Sequence, residues 1–386
     1  MTSDLTEAAA RTKFDALYGY PPTGVWSAPG RVNLIGEHTD YNEGFVFPFA
    51  INRRTFAAVS LRNDTLCRVA STFSPAVHQV ELSTISRDSV SGWAAYPFGV
   101  AWSLQQATTG HLKGFDIFID SDVPVGAGLS SSAAIECAVA VALNELWQLG
   151  LDRKSLARVG QQAENEIVGA PTGIMDQSAS LLGETDRGVF LDCRTLEAEV
   201  LDLGFAKNGL ELLIIDTKVA HRHAGGGYAS RRASCELGAS AMGVESLRDL
   251  SVKDLAAAAM ILDATTLARV RHVVTENQRV LDTVASLQAH GPRSIGKIMH
   301  DSHVSMRDDF EISIDELDTA VETAMRHGAI GARMTGGGFG GAAIALTPIE
   351  RIGEVTLAVF AEFEALKYAR PEIFVVSAAP GAHREE

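Results

Sequence analysis

The chain has 386 residues, 46% of them hydrophobic, and a formal net charge of −15. This length allows two or three domains with sizeable cores. The negative charge argues against nucleic acid as a partner, since binding a phosphate backbone requires clustered Lys and Arg. No apolar run reaches the roughly 20 residues of a membrane span. The N-terminus carries Asp4 and Glu7 and has no long apolar run, so we expect no secretory signal there. Four scattered cysteines form no CxxC pair or zinc spacing, which indicates reduced thiols in a cytoplasmic protein.

Hydrophobic periodicity and turn residues predict a mixture of helices and strands along the chain. Helices and strands do not alternate strictly, which favours an α+β fold of two abutting lobes, residues 1–185 and 186–386. In the first lobe we expect helices at 6–18, 95–108, 131–148, 153–168 and 174–182, and strands at 56–61, 66–71, 78–82 and 114–120. In the second lobe we expect strands at 188–192, 198–203, 210–217, 331–334, 342–346 and 372–377, and helices within 228–287 and at 314–327 and 352–366.

A glycine- and serine-rich segment joins the predicted strand at 114–120 to the long predicted helix at 131–148. Gly126 and Gly128 have no Cβ, so the backbone there can approach an anion closely. The free N–H groups and the dipole of the following helix favour negative charge, and three successive serines, 130–132, add hydroxyl donors. The Lys of the Walker pattern is absent, so this would be a phosphate loop of another kind. The alternative is a strand-to-helix turn capped by a serine, which needs no ligand.

Two carboxylates downstream are candidates for a phosphoryl-transfer site, which needs a metal ligand and a group that orients the acceptor hydroxyl. Glu164 lies on the predicted helix at 153–168, where a solvated helix face is the alternative interpretation. Asp176 follows a loop rich in Gly and Pro and stands among apolar and small residues. A carboxylate in such surroundings is either an N-terminal helix cap or a functional group.

The segment 27–44 concentrates polar side chains and glycines in a short stretch. Glu37, His38 and Asp40 supply hydrogen-bond donors and acceptors suited to a polyhydroxylated ligand. Arg31 offers a fixed charge for an incipient alkoxide or for transferring phosphoryl oxygens. A surface loop capped by Asn and Asp is one alternative. A zinc site is another, although one His with flanking acids is a weak pattern for zinc.

Several of these segments resemble one known family. Residues 29–42, PGRVNLIGEHTDYN, are similar to the galactokinase signature almost letter for letter. Residues 126–134 resemble the ATP motif of the wider family of galactokinase, homoserine kinase, mevalonate kinase and phosphomevalonate kinase. Residues 334–341, MTGGGFGG, resemble that family's third motif, a glycine loop near the phosphates. Residues 173–177 resemble the galactokinase catalytic segment, and all the matches follow the family order.

The resemblance implies a small-molecule kinase with a ribosomal-S5-like α/β N-terminal lobe, a ferredoxin-like α+β C-terminal lobe and an active site between them. The implied reaction is ATP-dependent phosphorylation of the anomeric C1 hydroxyl of α-D-galactose, the first committed step of galactose catabolism. Asp176 would be the base or an orienting carboxylate, and Arg31 would stabilise the transition state. The other implied residues bind galactose (Glu37, His38, Thr39, Asp40, Gly173, Tyr228), ATP (Gly126, Ala127, Gly128, Leu129, Ser130, Ser131, Ser132) or Mg²⁺ (Ser132, Glu164).

The likeness is weaker at 271–277 and 302–311, and Ala229 follows Tyr228 where galactokinases commonly have Asn. Two other hypotheses are a kinase for another sugar, such as N-acetylgalactosamine, galacturonate or arabinose, and a galactokinase-like sugar sensor. Sensors of that kind lack part of the serine–alanine stretch, which is complete here at 131–134. We expect a cytoplasmic monomer or weak homo-oligomer whose partners are galactose and ATP, without nucleic acid or a membrane.

Overall fold

The computed structural model describes residues 6–108, 110–219 and 224–386. Its helices are α1 (Glu7–Tyr18), α2 (Ala95–Gln106), α3 (Ser131–Leu146), α4 (Arg153–Gln162), α5 (Met175–Leu182), α6 (Ala224–Met242), α7 (Leu255–Ile261), α8 (Ala264–His290), α9 (Gly296–Asp308), α10 (Asp315–Arg326) and α11 (Ile352–Ala365). Its strands are β1 (Gly24–Asn33), β2 (Phe45–Val46), β3 (Pro48–Leu61), β4 (Leu66–Ser71), β5 (Ser74–Glu81), β6 (Phe115–Ser121), β7 (Arg187–Asp192), β8 (Glu197–Asp202), β9 (Leu210–Asp216), β10 (Gly331–Thr335), β11 (Ala342–Pro348), β12 (Glu372–Val376) and β13 (His383–Arg384). None of the helices in the described part of the chain has both the length and the apolar character needed to cross a bilayer.

A six-stranded sheet in the order β13-β1-β3-β6-β4-β5 forms the first lobe. β4 pairs with β6 in parallel, and the other neighbouring strands are antiparallel. Helices α2 to α5 build a large apolar core on one face of this sheet, and Phe14 of α1 packs on the other. Because both faces are covered, β1 is buried along its whole length, including Arg31 and Asn33. The surface-loop interpretation of 27–44 is therefore wrong for the part of that segment that lies in β1.

A four-stranded antiparallel sheet in the order β10-β11-β9-β12 forms the second lobe. Side chains alternate between the two faces of a strand, and both faces of β9 are buried. Leu213 and Ile215 pack under helices α6, α8, α10 and α11. Leu212 and Ile214 face the first lobe, where they meet apolar residues of β1 and β3 such as Val32. This shared core joins the two lobes directly.

Three further features bear on the sequence-based expectations. The helix predicted at 153–168 is α4 followed by a π-helical turn, Ala163–Val168. A third sheet, β2-β7-β8, links the two parts of the chain, and β13 at the C-terminus returns to pair with β1. Because these strand pairings cross the expected lobe boundary near residue 185, that boundary stays a prediction.

Candidate active site

A cavity of about 430 Å³ lies where the two lobes meet. Its walls come from the end of β1, the loop between β6 and α3, the start of α5, the π-helical turn and the loop after β10. It gathers most of the residues selected from the sequence: Arg31, Glu37, His38, Asp40, Gly126, Gly128, Leu129, Ser130, Ser131, Ser132, Glu164, Gly173, Asp176 and Tyr228. We call residues 36–44 the sugar loop and residues 126–132 the phosphate loop.

The phosphate loop has the backbone that its glycines allow. Gly126 and Gly128 have φ values of +79° and +73°, in the left-handed region that favours glycine. A Cβ on Gly128 would lie 3.1 Å from the carbonyl oxygen of Thr335, so the loop after β10 can approach closely. Ser130 precedes α3, but its side chain makes no capping hydrogen bond. The serine-cap alternative is therefore wrong for this residue, and the amides at the start of α3 have no capping bond from it.

Arg31 and Asp176 form an ion pair on the cavity wall. Arg31 donates to Asp176 Oδ1 from Nε at 2.8 Å and from Nη2 at 2.6 Å. Ser130 donates to the other oxygen, Oδ2, at 2.5 Å. Arg31 also donates to the carbonyl oxygen of Gly128 at 2.5 Å. Both oxygens of Asp176 are thus held in a fixed direction, and the pair is tied to the phosphate loop.

Glu164 lies in the π-helical turn, a local widening of the helix that is common at functional sites. Its Oε2 accepts hydrogen bonds from Thr172 at 2.8 Å and Gln177 at 3.0 Å, and its carboxyl group is also hydrogen-bonded to Ser132. Burial and the nearby charge of Asp176 raise the pKa of Glu164 to about 7. A cation at this point would offset both effects.

The residues around Glu164 fit Mg²⁺ bound together with a nucleotide. Among the described residues, no three His, Cys, Asp or Glu side chains gather into a complete metal cage. Mg²⁺ in kinases usually needs only one or two carboxylates, because waters and substrate phosphates complete its octahedron. A buried carboxylate next to the hydroxyl of Ser132 supplies that kind of partial ligand set.

Glu37 connects the sugar loop to the second lobe. Its Oε1 accepts from the backbone N–H of Gly336 at 2.5 Å and from the hydroxyl of Thr335 at 3.2 Å. Its Oε2 accepts from Asn33 and lies 3.5 Å from the guanidinium of Arg333. Burial raises the pKa of Glu37 to about 7, although Arg333 and Arg31 oppose the shift. The acid thus joins two motifs that are 299 residues apart in the chain.

His38 is a neutral ring with both nitrogen atoms engaged. Tyr41 lies 2.8 Å from Nδ1, and the carbonyl oxygen of Gly337 lies 3.2 Å from Nε2. Burial lowers the pKa of His38 to about 3. Nε2 therefore donates to the carbonyl, and Nδ1 accepts from the Tyr41 hydroxyl. The ring of Tyr228 lies 5.1 Å from that of His38, which places an aromatic wall on this side of the cavity.

Asp40 is packed directly against Gly173. A Cβ on Gly173 would lie 1.9 Å from Oδ2 of Asp40, so only glycine fits there. The carboxyl group accepts backbone hydrogen bonds from Tyr41 and Met175. Desolvation and the neighbouring charge of Asp176 raise the pKa of Asp40 to about 6.

Two of the predicted site residues do not line the cavity. Thr39 is fully buried, and its hydroxyl donates to the carbonyl oxygens of Gly36 and Phe45. Ala127 is also fully buried. Conversely, several lining residues were not selected from the sequence: Tyr96, Pro124, Val125, Thr172, Met175, Gly336 and Gly337. Of these, the two glycines belong to the third glycine motif, which the sequence placed near the phosphates.

Three family descriptions match successive parts of the chain. Residues 12–61 match the galactokinase galactose-binding signature, residues 95–184 the N-terminal domain of GHMP kinases, and residues 283–365 the GHMP kinase C-terminal domain. These ranges contain the sugar loop, the phosphate loop with Asp176, and the third glycine motif respectively.

Curated proteins and solved structures agree with these matches. The chain is 49% identical to a galactokinase of Streptomyces coelicolor, covering 98% of this chain and 99% of that protein. It is 44% identical to a galactokinase of Mycobacterium bovis, covering 92% and 98%.

A crystal structure of Lactococcus lactis galactokinase complexed with galactose superimposes with a TM-score of 0.92 at 33% identity, covering 97% of this chain and 99% of that chain. A mevalonate kinase of Methanococcus jannaschii shares the fold, with a TM-score of 0.66 at 19% identity, covering 92% and 98%. The expected two-lobed α+β fold is confirmed, and the chain belongs to the galactokinase family of GHMP kinases.

Proposed function

We propose that this chain transfers the γ-phosphoryl group of ATP to the C1 hydroxyl of α-D-galactose, giving galactose 1-phosphate and ADP. The observation that carries the proposal is the Arg31–Asp176 pair. It lies in one cavity with the phosphate loop on one side and the sugar loop on the other. A galactokinase needs such a group at the point where the acceptor hydroxyl meets the γ-phosphate.

On the sugar side, the proposed contacts are with the cavity-lining residues Glu37, His38, Asp40, Gly173 and Tyr228. Carboxylates accept hydrogen bonds from sugar hydroxyls, and charge-assisted bonds of this kind are stronger than neutral ones. Because Gly173 has no Cβ, the Asp40 carboxylate can pack against its backbone. Thr39, which we expected to bind galactose, would instead act on the shape of the loop, because its hydroxyl bonds the carbonyl oxygens of Gly36 at the loop's start and of Phe45 just after its end.

On the nucleotide side, the phosphate loop supplies mostly backbone groups. The N-terminal amides of α3 and its helix dipole favour the negative phosphates. Gly126 and Gly128 provide the close backbone approach, and Ser131 and Ser132 line the cavity with hydroxyl groups. Because no Walker lysine is present, other positive charge has to balance the triphosphate.

We propose that Ser132 and Glu164 hold Mg²⁺ together with the phosphates. Mg²⁺, when bound, neutralises charge on the β- and γ-phosphates. Arg31 supplies a second positive charge beside Asp176, where its guanidinium can stabilise the oxygens of the transferring group.

The transfer itself would be direct. Asp176 receives or orients the proton of the C1 hydroxyl, and its direction is fixed by Arg31 and Ser130. His38 is poorly suited to carry a phosphoryl group, because it is buried and both its ring nitrogens already have partners. An in-line attack of the sugar oxygen on the γ-phosphate needs no covalent intermediate on the enzyme.

A panel of sugars in a coupled ADP-release assay tests the substrate, and ³¹P NMR of the product tests the position. We expect galactose to have the highest kcat/KM, with the new phosphate on C1. A higher kcat/KM for N-acetylgalactosamine, galacturonate or arabinose would overturn the substrate assignment. Binding of galactose and ATP without release of ADP would favour a sensor instead.

We further propose a cytoplasmic monomer or weak homo-oligomer. Cys67, Cys137, Cys193 and Cys235 are all free thiols, which suits a reducing compartment. Light scattering at micromolar concentration measures the oligomeric state.

A further inference from the structure

One helix of the second lobe holds both ends of the sugar loop. At the start of the loop, the backbone N–H of Gly36 donates to Oε1 of Glu276 at 3.0 Å. At its end, the backbone N–H of Phe45 donates to Oδ1 of Asn277 at 2.9 Å. Between them, a ring nitrogen of His272 lies 3.1 Å from the carbonyl oxygen of Glu37. All three contacts come from α8 and go to backbone atoms.

The three side chains share one face of α8. Positions four apart on a helix lie one above the other, so His272 and Glu276 point the same way, and Asn277 is adjacent. All three are buried. They belong to the weakly matching segment 271–277, to which the sequence comparison attached no role. The fit is close, because a Cβ on Gly44 would lie 2.3 Å from Oδ1 of Asn277.

The holding groups are themselves fixed by neighbouring side chains. Glu276 accepts from the hydroxyl of Ser302 at 2.7 Å and from Arg279 at 2.7 Å. Burial alone would raise the pKa of Glu276, but Arg279 and Arg333 bring it down to about 2. His272 is neutral, because burial lowers its pKa to about 4, and Ser305 lies 3.0 Å from its other nitrogen.

The loop between these anchors contains a residue in a costly backbone conformation. His38 has a φ of +62°, a left-handed value that is costly for a residue with a side chain. The hydroxyl of Thr39 bridges the carbonyl oxygens of Gly36 and Phe45 inside the loop. The directions of Glu37, His38 and Asp40 all depend on this backbone path.

We propose that His272, Glu276 and Asn277 are positioning residues that hold the sugar loop in the shape that binds galactose. They do not line the cavity, so they act through the loop and not on the substrate. The proposal rests on the proposed function, since it takes the sugar loop as the galactose site. Its consequence is selective: these three residues of α8 set affinity for the sugar and leave affinity for the nucleotide unchanged.

Asn277→Ala tests the proposal in the full-length protein. It removes the acceptor for the N–H of Phe45, and a buried donor without a partner should raise the galactose KM by about tenfold to a hundredfold. The ATP KM and the kcat at saturation should stay within about threefold of the wild type, because the phosphate loop and the Arg31–Asp176 pair do not contact Asn277.

A second readout does not depend on turnover. The rise in Tm that saturating galactose gives the wild type should shrink in Asn277→Ala, while the rise given by ADP should be unchanged. Asn277→Asp keeps the acceptor and removes Nδ2, which has no hydrogen-bond partner among the described residues. We expect it to restore most of the galactose affinity.

Gln278→Ala is the matched control, because Gln278 is exposed on the same helix and donates to Asp282 of that helix. If Asn277→Ala does not fold, Ser302→Ala gives a milder test. It removes the hydroxyl that orients Glu276 and should raise the galactose KM by about two- to fivefold.

Two results would overturn the proposal. One is a galactose KM in both Asn277→Ala and Ser302→Ala equal to that of Gln278→Ala. The other is a parallel rise in the KM of both substrates with no rescue by Asn277→Asp, which would indicate general destabilisation. Failure of the proposed function is separate, because then the wild type itself would neither bind nor phosphorylate galactose.

Discussion

The sugar loop and the phosphate loop meet at one cavity but are built in different ways. The sugar loop is mostly buried. It is fixed from the other lobe by the Glu276 side chain of α8, the Thr335 hydroxyl of β10 and the backbone N–H of Gly336. The phosphate loop is more open: Val125 just before it is 75% exposed, and a Cβ on Gly126 would meet nothing within 4 Å. Its side-chain ties are few, with Arg31 bonded to Gly128 and Ser130 bonded to Asp176.

The difference suits the ligand that we propose for each loop. A neutral sugar offers only hydroxyl groups, so its affinity and specificity depend on fixed directions of donors and acceptors. A triphosphate is highly charged, and backbone amides at a helix start attract it without an elaborate support. We therefore expect changes near the sugar loop to act on the galactose KM. Changes where the loops meet should act on kcat.

Arg31→Lys breaks the tie between Asp176 and the phosphate loop and should have a large effect. A lysine keeps one charge but loses the fork that bonds both Asp176 and Gly128. We expect kcat to fall by about 10²- to 10³-fold, the usual cost of losing a donor to developing charge. Steady-state kinetics at saturating galactose and ATP measure it.

Arg53→Lys is the control for this variant. Arg53 is paired at 3.1 Å with Asp122, which precedes the phosphate loop in the chain, and does not line the cavity. Its kcat should stay within about twofold of the wild type, as for most exposed ion pairs. If the kcat of Arg31→Lys were equally close to that of the wild type, the bonds of Arg31 to Asp176 and Gly128 would not assist the transfer.

Gly173→Ala should act on the sugar alone. Its Cβ would lie 1.9 Å from Oδ2 of Asp40, so this carboxylate must move. We expect the galactose KM to rise by about tenfold to a hundredfold, because a displacement of about 1 Å is costly in a preorganised site. The ATP KM should change by less than about threefold, because the new Cβ would clash with Asp40 of the sugar loop and not with the phosphate loop.

Gly353→Ala is a control for introducing a methyl group, since Gly353 lies in α11 with no atom within 4 Å of the new Cβ. It should leave both KM values unchanged. If Gly173→Ala raised the KM of ATP as much as that of galactose, the two loops would not act separately on the two substrates.

The pH dependence of sugar binding is the smallest expected effect. The pKa of Asp40 is raised to about 6, so its carboxylate becomes protonated as the pH falls through that value. A protonated acid accepts fewer hydrogen bonds from sugar hydroxyls, so kcat/KM for galactose should fall by roughly tenfold per pH unit below 6. Glu37, whose pKa is raised to about 7, should begin the fall at higher pH, and Asp40 should steepen it below 6. His38 should add no step near 6.5, because it stays neutral down to about pH 3. A galactose kcat/KM that is flat from pH 7 to 5 would contradict the assignment of Asp40.

Local sequence predicted the phosphate side well. The predicted strand at 114–120 and helix at 131–148 correspond to β6 and α3, and the glycines have the positive φ values that the loop needs. The reason is that this site uses neighbouring residues, backbone groups and a helix start, all of which leave short-range signals.

The support of the sugar loop could not be predicted from local pattern. Glu37 bonds Gly336, and Gly36 bonds Glu276 across 240 residues of chain. No periodicity links such distant positions. The polar residues of β1 suggested a surface loop. That interpretation was wrong because tertiary contacts bury Arg31 and Asn33, and a propensity argument contains no such contacts. The π-helical turn that carries Glu164 likewise leaves the helical pattern intact.

The most direct test of the account is a measurement of catalysis and binding in Asp176→Ala. We predict that kcat falls by about 10²- to 10⁴-fold, the range of a lost proton-transfer group. Calorimetric titrations should give galactose and ADP affinities within about threefold of the wild type, because Asp176 is one of many cavity residues. A variant that keeps near-native kcat would contradict the central claim that Asp176, held by Arg31 where the two loops meet, acts on the C1 hydroxyl.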